Sequence, residues 1–135
     1  MPVLTRFALA AALACMLTAC TAANPVMNCS LLSEVNREFA KQLRWREQAD
    51  ALRRVKPVPE APLQAWQQAL QPLEVVDCSV KEFTCTPATS VAQSILTMSY
   101  LRSGSATLRT VDLPLSWQQQ TAGDWLITSP PPTIP

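Results

Sequence analysis

The stretch Thr107-Leu-Arg-Thr-Val-Asp-Leu-Pro-Leu-Ser-Trp117 shows most clearly how this 135-residue chain folds. Its odd positions from Val111 to Trp117 are apolar, and the intervening positions are mostly polar. A period of two is typical of a half-buried strand, because successive side chains of a strand point to opposite faces of the sheet. Pro114 cannot donate a hydrogen bond to a neighbouring strand, so we expect it at a sheet edge or at a bulge.

Three further strands are predicted around this one. Leu73–Cys85 is rich in Val and Phe, Val91–Leu101 is long, and Trp125–Ser129 follows a Gly-containing turn. Turn residues at 86–89 and 103–105 separate successive strands, which indicates hairpin connections. The sequence therefore predicts an antiparallel sheet of about four strands.

The residues before the strands have a helical pattern instead. Asn28 or Ser30 can cap a helix, after which apolar residues recur every three or four positions, at Leu32, Val35, Phe39 and Leu43. The apolar stripe then changes phase, so we expect a break near 44–46 and a second short helix. A third short helix is predicted at 62–70, after prolines that end the second one.

Helices followed by an antiparallel sheet define the α+β class, with the helices packed on the sheet. A chain of this length forms one domain at most, and we place it at residues 30–130. The Pro-rich tail at 131–135 is predicted to be extended, with no core to join.

The N-terminal residues 1–19 have the pattern of a lipoprotein signal peptide. Arg6 precedes an apolar run of about a dozen residues, and small residues lead up to Cys20. This run is too short for a membrane-spanning helix, which needs roughly 20 residues. Leu17-Thr-Ala-Cys20 resembles the lipobox of bacterial lipoproteins, in which the cysteine is lipidated before cleavage. The resemblance implies that Cys20 is the acylated mature N-terminus and that residues 20–29 tether the domain.

Lipidation of Cys20 predicts a protein that is held permanently at a membrane, because two or three acyl chains together bind a bilayer effectively irreversibly. The residue after Cys20 is Thr21 and not Asp. In this respect the chain resembles lipoproteins that are sorted to the outer membrane. We therefore expect the protein in the cell envelope, anchored in the outer membrane and facing the periplasm.

Composition excludes several classes of function. The formal net charge is +1, whereas a nucleic-acid partner requires a surplus of Lys and Arg. The chain has no His, which excludes Ser-His-Asp and Cys-His pairs and any His-ligated metal. The acidic residues have no spacing typical of acid/base catalysis, and two glycines exclude a Gly-rich phosphate loop. We expect no catalytic residue, no metal and no cofactor.

The positive charge is concentrated in residues 34–56, which hold seven Lys or Arg against four acidic residues. From Pro57 onward, acidic residues outnumber basic ones. Two interpretations remain open: a solvated helix face, or a basic patch that faces anionic lipid or an acidic partner.

Three cysteines follow Cys20, namely Cys29, Cys78 and Cys85, in a compartment that favours disulfides. If 73–85 is one strand, Cys78 and Cys85 lie about 23 Å apart, beyond the reach of a disulfide unless a hairpin intervenes. A bond from Cys29 to either of the other two is slightly favoured, because it would connect the first helix to the sheet. A reactive thiol is disfavoured because no His can partner it.

The four tryptophans are interpreted as core residues, each at a position where an element must be held against the rest. They are Trp45, Trp66, Trp117 and Trp125. Arg44 and Arg109 have three possible roles: binding an anion in a cavity, pairing with a carboxylate such as Glu74, Asp77 or Asp112, or stacking on an aromatic ring.

Several short motifs are spread over residues 30–130. They are Leu43-Arg-Trp-Arg46, Tyr100-Leu101, Leu108-Arg-Thr-Val111, Trp117 and Gly123-Asp-Trp-Leu-Ile-Thr-Ser-Pro130. Together they resemble small, uncharacterised bacterial lipoproteins of the NTF2-like superfamily. The resemblance implies helices over one face of a curved antiparallel sheet, with a cavity between them. In that superfamily the cavity binds small ligands or catalyses isomerisation or dehydration, or is filled while the sheet mediates association.

Three functions are considered, in decreasing order of support. The first is a non-catalytic interaction domain in an envelope or secretion-related assembly, with an envelope protein or a second copy, bound through the sheet, as partner. The second is a small-molecule binding module whose cavity lies near Arg44, Trp45, Tyr100 and Arg109. A cavity enzyme is third, because catalysis in the superfamily resembles acid/base work by buried Asp, His and Tyr, and this chain has no His and one Tyr.

Overall fold

The structure of the protein is a computed structural model that describes residues 25–56, 61–86, 89–121 and 123–135. Within these residues the helices precede the strands, which confirms the α+β class. The predicted signal peptide and Cys20 lie outside the described residues.

The elements follow the predicted order. The helices are α1 (Pro25–Arg44), α2 (Gln48–Leu52) and α3 (Ala61–Leu70), and the strands are β1 (Leu73–Cys85), β2 (Val91–Arg102), β3 (Arg109–Gln119) and β4 (Trp125–Ile127). The strands form one antiparallel sheet in the order β1-β2-β3-β4. Only the start of α1 departs clearly from prediction: residues 25–29 of the predicted tether are helical, and a proline at the first helical position is favourable.

The predicted break after α1 is found at residues 45–47. Arg46 has a φ of 60°, in the left-handed region that an α-helix does not use. The backbone N–H of Glu47 donates to Gln42 O, which closes the turn, and α2 begins at Gln48.

β1 keeps one face towards the core by means of two bulges. Its register with β2 shifts at Val76 and again at Lys81. Each bulge adds one residue and so reverses which positions face inward. The buried side chains are therefore Leu73 and Val75, then Cys78. Without the first bulge, Asp77 would occupy a buried position.

The core lies between the helices and one face of the sheet. Phe39 of α1 packs edge-on against both Trp66 and Trp117, with ring centroids 6.2 and 6.1 Å away. Edge-to-face contacts of this kind are favoured by the charge distribution of aromatic rings. Trp66, Trp117 and Trp125 are fully buried, which confirms the prediction for three of the four tryptophans.

Trp45 was predicted in the core and is 64% exposed, so that prediction is wrong. Trp45 follows the buried Leu43 by two residues, which is about 200° around a helix. The backbone N–H of Trp45 still donates to Lys41 O in the last helical turn. The helix geometry therefore directs Trp45 away from the face that carries Leu43.

A buried chain of hydrogen bonds connects α1 to the sheet. Trp117 Nε1 donates to Ser94 Oγ at 2.9 Å, and Ser94 Oγ donates to Asn36 Oδ1 at 3.2 Å. Buried polar groups are costly when they lose their partners. This chain therefore sets the position of α1 relative to β2 and β3.

Pro114 confirms the predicted sheet edge. β4 pairs with β3 only from Trp117 to Gln119, so Pro114 has β2 as its one neighbouring strand. The register with β2 is continuous through Pro114. Ser116 bonds through its N–H and C=O on the β4 side of β3, and backbone groups two residues apart in a strand point to the same side. The nitrogen of Pro114 therefore lies at the open edge, and its missing N–H costs no hydrogen bond of the sheet.

The Pro-rich tail joins the core, contrary to the prediction. Ile134 is buried with the core side chains. The Tyr100 hydroxyl donates to Pro135 O at 2.6 Å, and the Arg102 guanidinium donates to Ile134 O and Pro135 O. A single apolar residue among prolines has no periodicity that marks it as buried, and an extended segment leaves its carbonyl groups free to accept hydrogen bonds.

A disulfide connects Cys29 of α1 to Cys85 of β1, with the Cα atoms 5.8 Å apart. This is one of the two favoured pairings, and Cys78 is the remaining free cysteine among the described residues. At the other end of α1, Arg44 Nε lies 3.6 Å from Asp77 Oδ1. α1 therefore runs antiparallel to β1 and is held at both ends.

Removing the disulfide will lower the free energy of unfolding by about 4 kcal/mol, because the bond joins residues 56 positions apart and restricts the unfolded chain. Urea unfolding of a Cys29→Ser/Cys85→Ser double variant measures this loss. Reductant should bring the wild type to the level of the double variant and leave the double variant unchanged. A wild-type midpoint that does not respond to reductant would contradict the bond.

Ile134→Ala will lower the free energy of unfolding by about 2 kcal/mol, since it removes buried apolar volume. Thr133→Ala is the matched control, because Thr133 is the exposed neighbour in the same tail, and it should change stability by less than about 0.5 kcal/mol. Urea unfolding of both variants checks the difference. Equal stability of the two variants would show that the tail does not pack on the core.

Candidate functional site

The face formed by α1 and β1 carries an open groove of about 500 Å³. On the helix side it is lined by Arg37, Lys41, Arg44 and Trp45, and on the strand side by Ser79 and Val80, with Ala40 and Cys78 beneath. We call this surface the α1–β1 groove. A second groove of about 490 Å³ continues from it towards Glu74 and shares Arg44 and Trp45.

Helical spacing places the three cations in one row. Arg37, Lys41 and Arg44 are four and three residues apart, so their side chains lie on successive turns of one helix face. Because α1 runs antiparallel to β1, this row follows the strand. The small side chain of Ala40 leaves space between the row and the strand.

The positive charge of the groove is only partly neutralised. Arg44 faces Asp77, and its guanidinium also lies over the Trp45 ring, 5.5 Å from the centroid. Neither Arg37 nor Lys41 lies within 4.0 Å of a carboxylate of the described residues. Like charges at these spacings disfavour a helix by about 0.2–0.5 kcal/mol per pair. Glu34 and Glu38 each lie three residues before a cation, Arg37 and Lys41 respectively, and offset part of this repulsion.

Trp45 is the most prominent apolar side chain on this face. Val76, displaced outward by the first bulge of β1, is exposed and lines the adjacent groove with it. Tryptophan and arginine are enriched among the residues that dominate binding energy in protein interfaces. Trp45 beside Arg44 has the composition of such an anchor.

The structure brings together two of the four residues predicted to line a cavity. Arg44 and Trp45 line the α1–β1 groove, whereas Tyr100 and Arg109 do not. Tyr100 is fully buried and its hydroxyl binds Pro135 O. Arg109 pairs with Tyr100 across the sheet and is exposed.

Arg37 and Lys41 also line the groove and are not among the residues predicted for the site. Their four-residue spacing on a helix is visible in the sequence. Their position beside β1 is not visible there, because it depends on how α1 packs against the sheet. Two of the roles predicted for Arg44 are observed: it pairs with Asp77, and it stacks on an aromatic ring, that of Trp45.

The free thiol of Cys78 lies beneath the groove and is buried. Burial, and to a smaller extent the charge of Asp77, raises the pKa of the Cys78 thiol to about 12. Because the thiolate is the nucleophilic form, Cys78 is a poor nucleophile at neutral pH.

Two further observations concern only the residues that the structure describes. None of their helices has the combination of length and hydropathy that crossing a bilayer requires. No three of their Cys, Asp and Glu side chains come close enough to hold a metal ion together.

Comparison with protein families and with curated sequences gives no match for this chain. No protein-family model matches it, and no curated protein sequence does. The resemblance to NTF2-like lipoproteins therefore stays a prediction from its scattered motifs.

Cys78 will react with iodoacetamide at least roughly 50-fold more slowly in the folded protein than in the unfolded chain. The reason is that the cysteines of an unfolded chain have a pKa near 8.5 and form the thiolate more readily. The comparison is made by intact-mass measurements over time at about pH 8, without and with concentrated guanidinium, with the disulfide intact. A Cys78→Ala variant shows which labelling belongs to this residue. Equal rates in the two states would contradict the burial of the thiol.

Proposed function

We propose that this protein is a lipid-anchored, non-catalytic protein of the cell envelope that binds a protein partner through the α1–β1 groove. The observation that carries the proposal is the exposed Trp45 at the end of a row of incompletely neutralised cations. A large aromatic side chain that remains in water, beside charges that repel one another, is stabilised when a complementary surface covers it.

Cys20 is the proposed lipid attachment site. The first described helix begins at Pro25, five residues after Cys20, and five extended residues span about 18 Å at most. The domain would therefore stay close to the membrane, where we place it at the periplasmic face of the outer membrane. An envelope protein is the partner that such a position favours.

The finer fold assignment, an NTF2-like cone, is part of the same proposal. Support comes from helices that cover one face of an antiparallel sheet and from the two bulges of β1. Bulges bend a strand and increase its twist, as a curved sheet requires. The proposed function needs no cofactor, no metal and no nucleic acid.

The face of the sheet that no helix covers favours a different protein as the partner. It disfavours a second copy of the chain that would bind this face to face. Its polar side chains bond with one another: Lys81 Nζ lies 2.8 Å from Asp112 Oδ2, and the hydroxyls of Ser99 and Thr110 are 3.1 Å apart. The hydrogen bond from Lys81 lowers the pKa of Asp112. The polar pairs of this face are satisfied without a second copy.

The test places a photo-crosslinking amino acid at position 45 of the full chain in cells. We expect a discrete protein adduct in the membrane fraction, together with an acylated mass for the wild-type chain. In the Cys20→Ser variant, acylation should be absent and the adduct should decrease at least about fivefold, because the domain is no longer held at the membrane.

Val91 provides the matched control position, because it is also apolar and 56% exposed but begins β2, away from the groove. Crosslinking from position 91 should give no corresponding adduct. The same adduct from both positions, or none from position 45, would reject the groove as the interaction surface. An unacylated, freely soluble wild-type product would reject the anchor.

A further inference from the structure

We infer that the partner of the α1–β1 groove is an extended, acidic polypeptide segment that pairs with the free edge of β1 as an additional strand. The inference rests on the proposed interaction function and specifies the chemistry of the partner. It follows from three features of the described residues: a free strand edge, a row of cations beside it, and an exposed aromatic side chain at one end.

Among the described residues, β2 is the only strand that pairs with β1, so β1 is an edge strand. In the part of the chain that the structure describes, no backbone hydrogen bond from outside the sheet reaches Leu73–Cys85. The α1–β1 groove lies at this edge, since α1, the adjoining Trp45 and β1 line it and β2 does not. Unpaired N–H and C=O groups at a sheet edge can bind an extended peptide by strand addition.

The two bulges of β1 define where a strand can be added. Bulges interrupt regular pairing, and the segment between Val76 and Lys81 is regular, from Asp77 to Val80. Four residues of strand span about 13 Å. The row from Arg37 to Arg44 spans about 10 Å of helix, so the cations extend along nearly the whole segment.

The spacing of the cations along the groove favours a particular pattern of acidic residues in the partner segment. Side chains two apart in a strand lie on one face, about 6.6 Å from each other. Arg37 and Lys41 are about 6 Å apart along the axis of α1. A segment with acidic residues at alternate positions would therefore place one carboxylate near each cation, and a flanking apolar residue would contact Trp45.

Charge disfavours a second copy of the chain as the added strand. Antiparallel pairing of β1 with its copy has a two-fold axis perpendicular to the sheet, which keeps both copies of α1 on the same face. Their rows of Arg37, Lys41 and Arg44 would then face each other across the junction. Desolvated like charges that face each other are strongly unfavourable in an interface.

The test uses a fluorescein-labelled peptide of alternating Glu and Val, about ten residues long, added to the full chain in detergent micelles. We expect the fluorescence anisotropy to show saturable binding, and a Lys/Val peptide of the same pattern not to bind. Lys41→Glu should weaken binding at least about tenfold. Arg109→Glu makes the same change of charge at another exposed position and should change affinity less than about twofold.

A second measurement separates strand addition from simple charge attraction. A Glu/Val peptide that is N-methylated at alternate residues keeps its charge but loses the backbone donors on one edge, so its affinity should fall at least about tenfold. The unmodified peptide should also slow amide hydrogen exchange within Asp77–Val80. Equal binding of the methylated peptide, or unchanged exchange in this segment, would overturn the inference.

Two other outcomes would also overturn it. Binding of soluble dihexanoyl phosphatidylglycerol that depends on Lys41, without binding of the peptide, would identify a lipid-binding surface. A dimer that dissociates on addition of the peptide would identify a second copy as the occupant. If the peptide does not bind but the adduct at position 45 persists, strand addition is rejected alone; if both are absent, the proposed function is rejected as well.

Discussion

The edge-on packing of Phe39 against Trp66 and Trp117 is the contact on which the rest of the molecule depends. It joins α1 to α3 and to the centre of the sheet, and the chain from Trp117 through Ser94 to Asn36 prevents α1 from rotating around it. Burying these side chains removes a large apolar area from water. Once α1 is fixed in this way, its opposite face and the edge of β1 have to lie side by side.

The α1–β1 groove is a consequence of this arrangement. The disulfide of Cys29 with Cys85 holds one end of α1 to β1, and the pair of Arg44 with Asp77 lies at the other end. Between these two attachments, Ala40 is too small to fill the space between helix and strand. The domain thus combines a disulfide-linked scaffold with an open strand edge that lies beside a row of cations on α1.

Helices and strands could be predicted because their signals are local. The apolar spacing from Leu32 to Leu43 and the alternation around Leu113 are periodicities that burial on one face imposes. Trp45, the two bulges of β1 and the buried Ile134 could not be predicted in the same way. The bulges and Ile134 depend on contacts between residues far apart in the chain, namely how β2 pairs with β1 and what space the core leaves for the tail. The exposure of Trp45 depends on where α1 ends.

The candidate site divides along the same line. Sequence alone determined the α+β order, the row of cations on one helix, the absence of His and a short choice of cysteine pairings, because these depend on composition and on spacing within one element. Tertiary structure alone decided that Cys29 bonds to Cys85, that Tyr100 binds the tail, and that Arg37 and Lys41 border a free strand edge. The physical reason is that packing of large apolar side chains brings distant segments together, and no local pattern records which segments will meet.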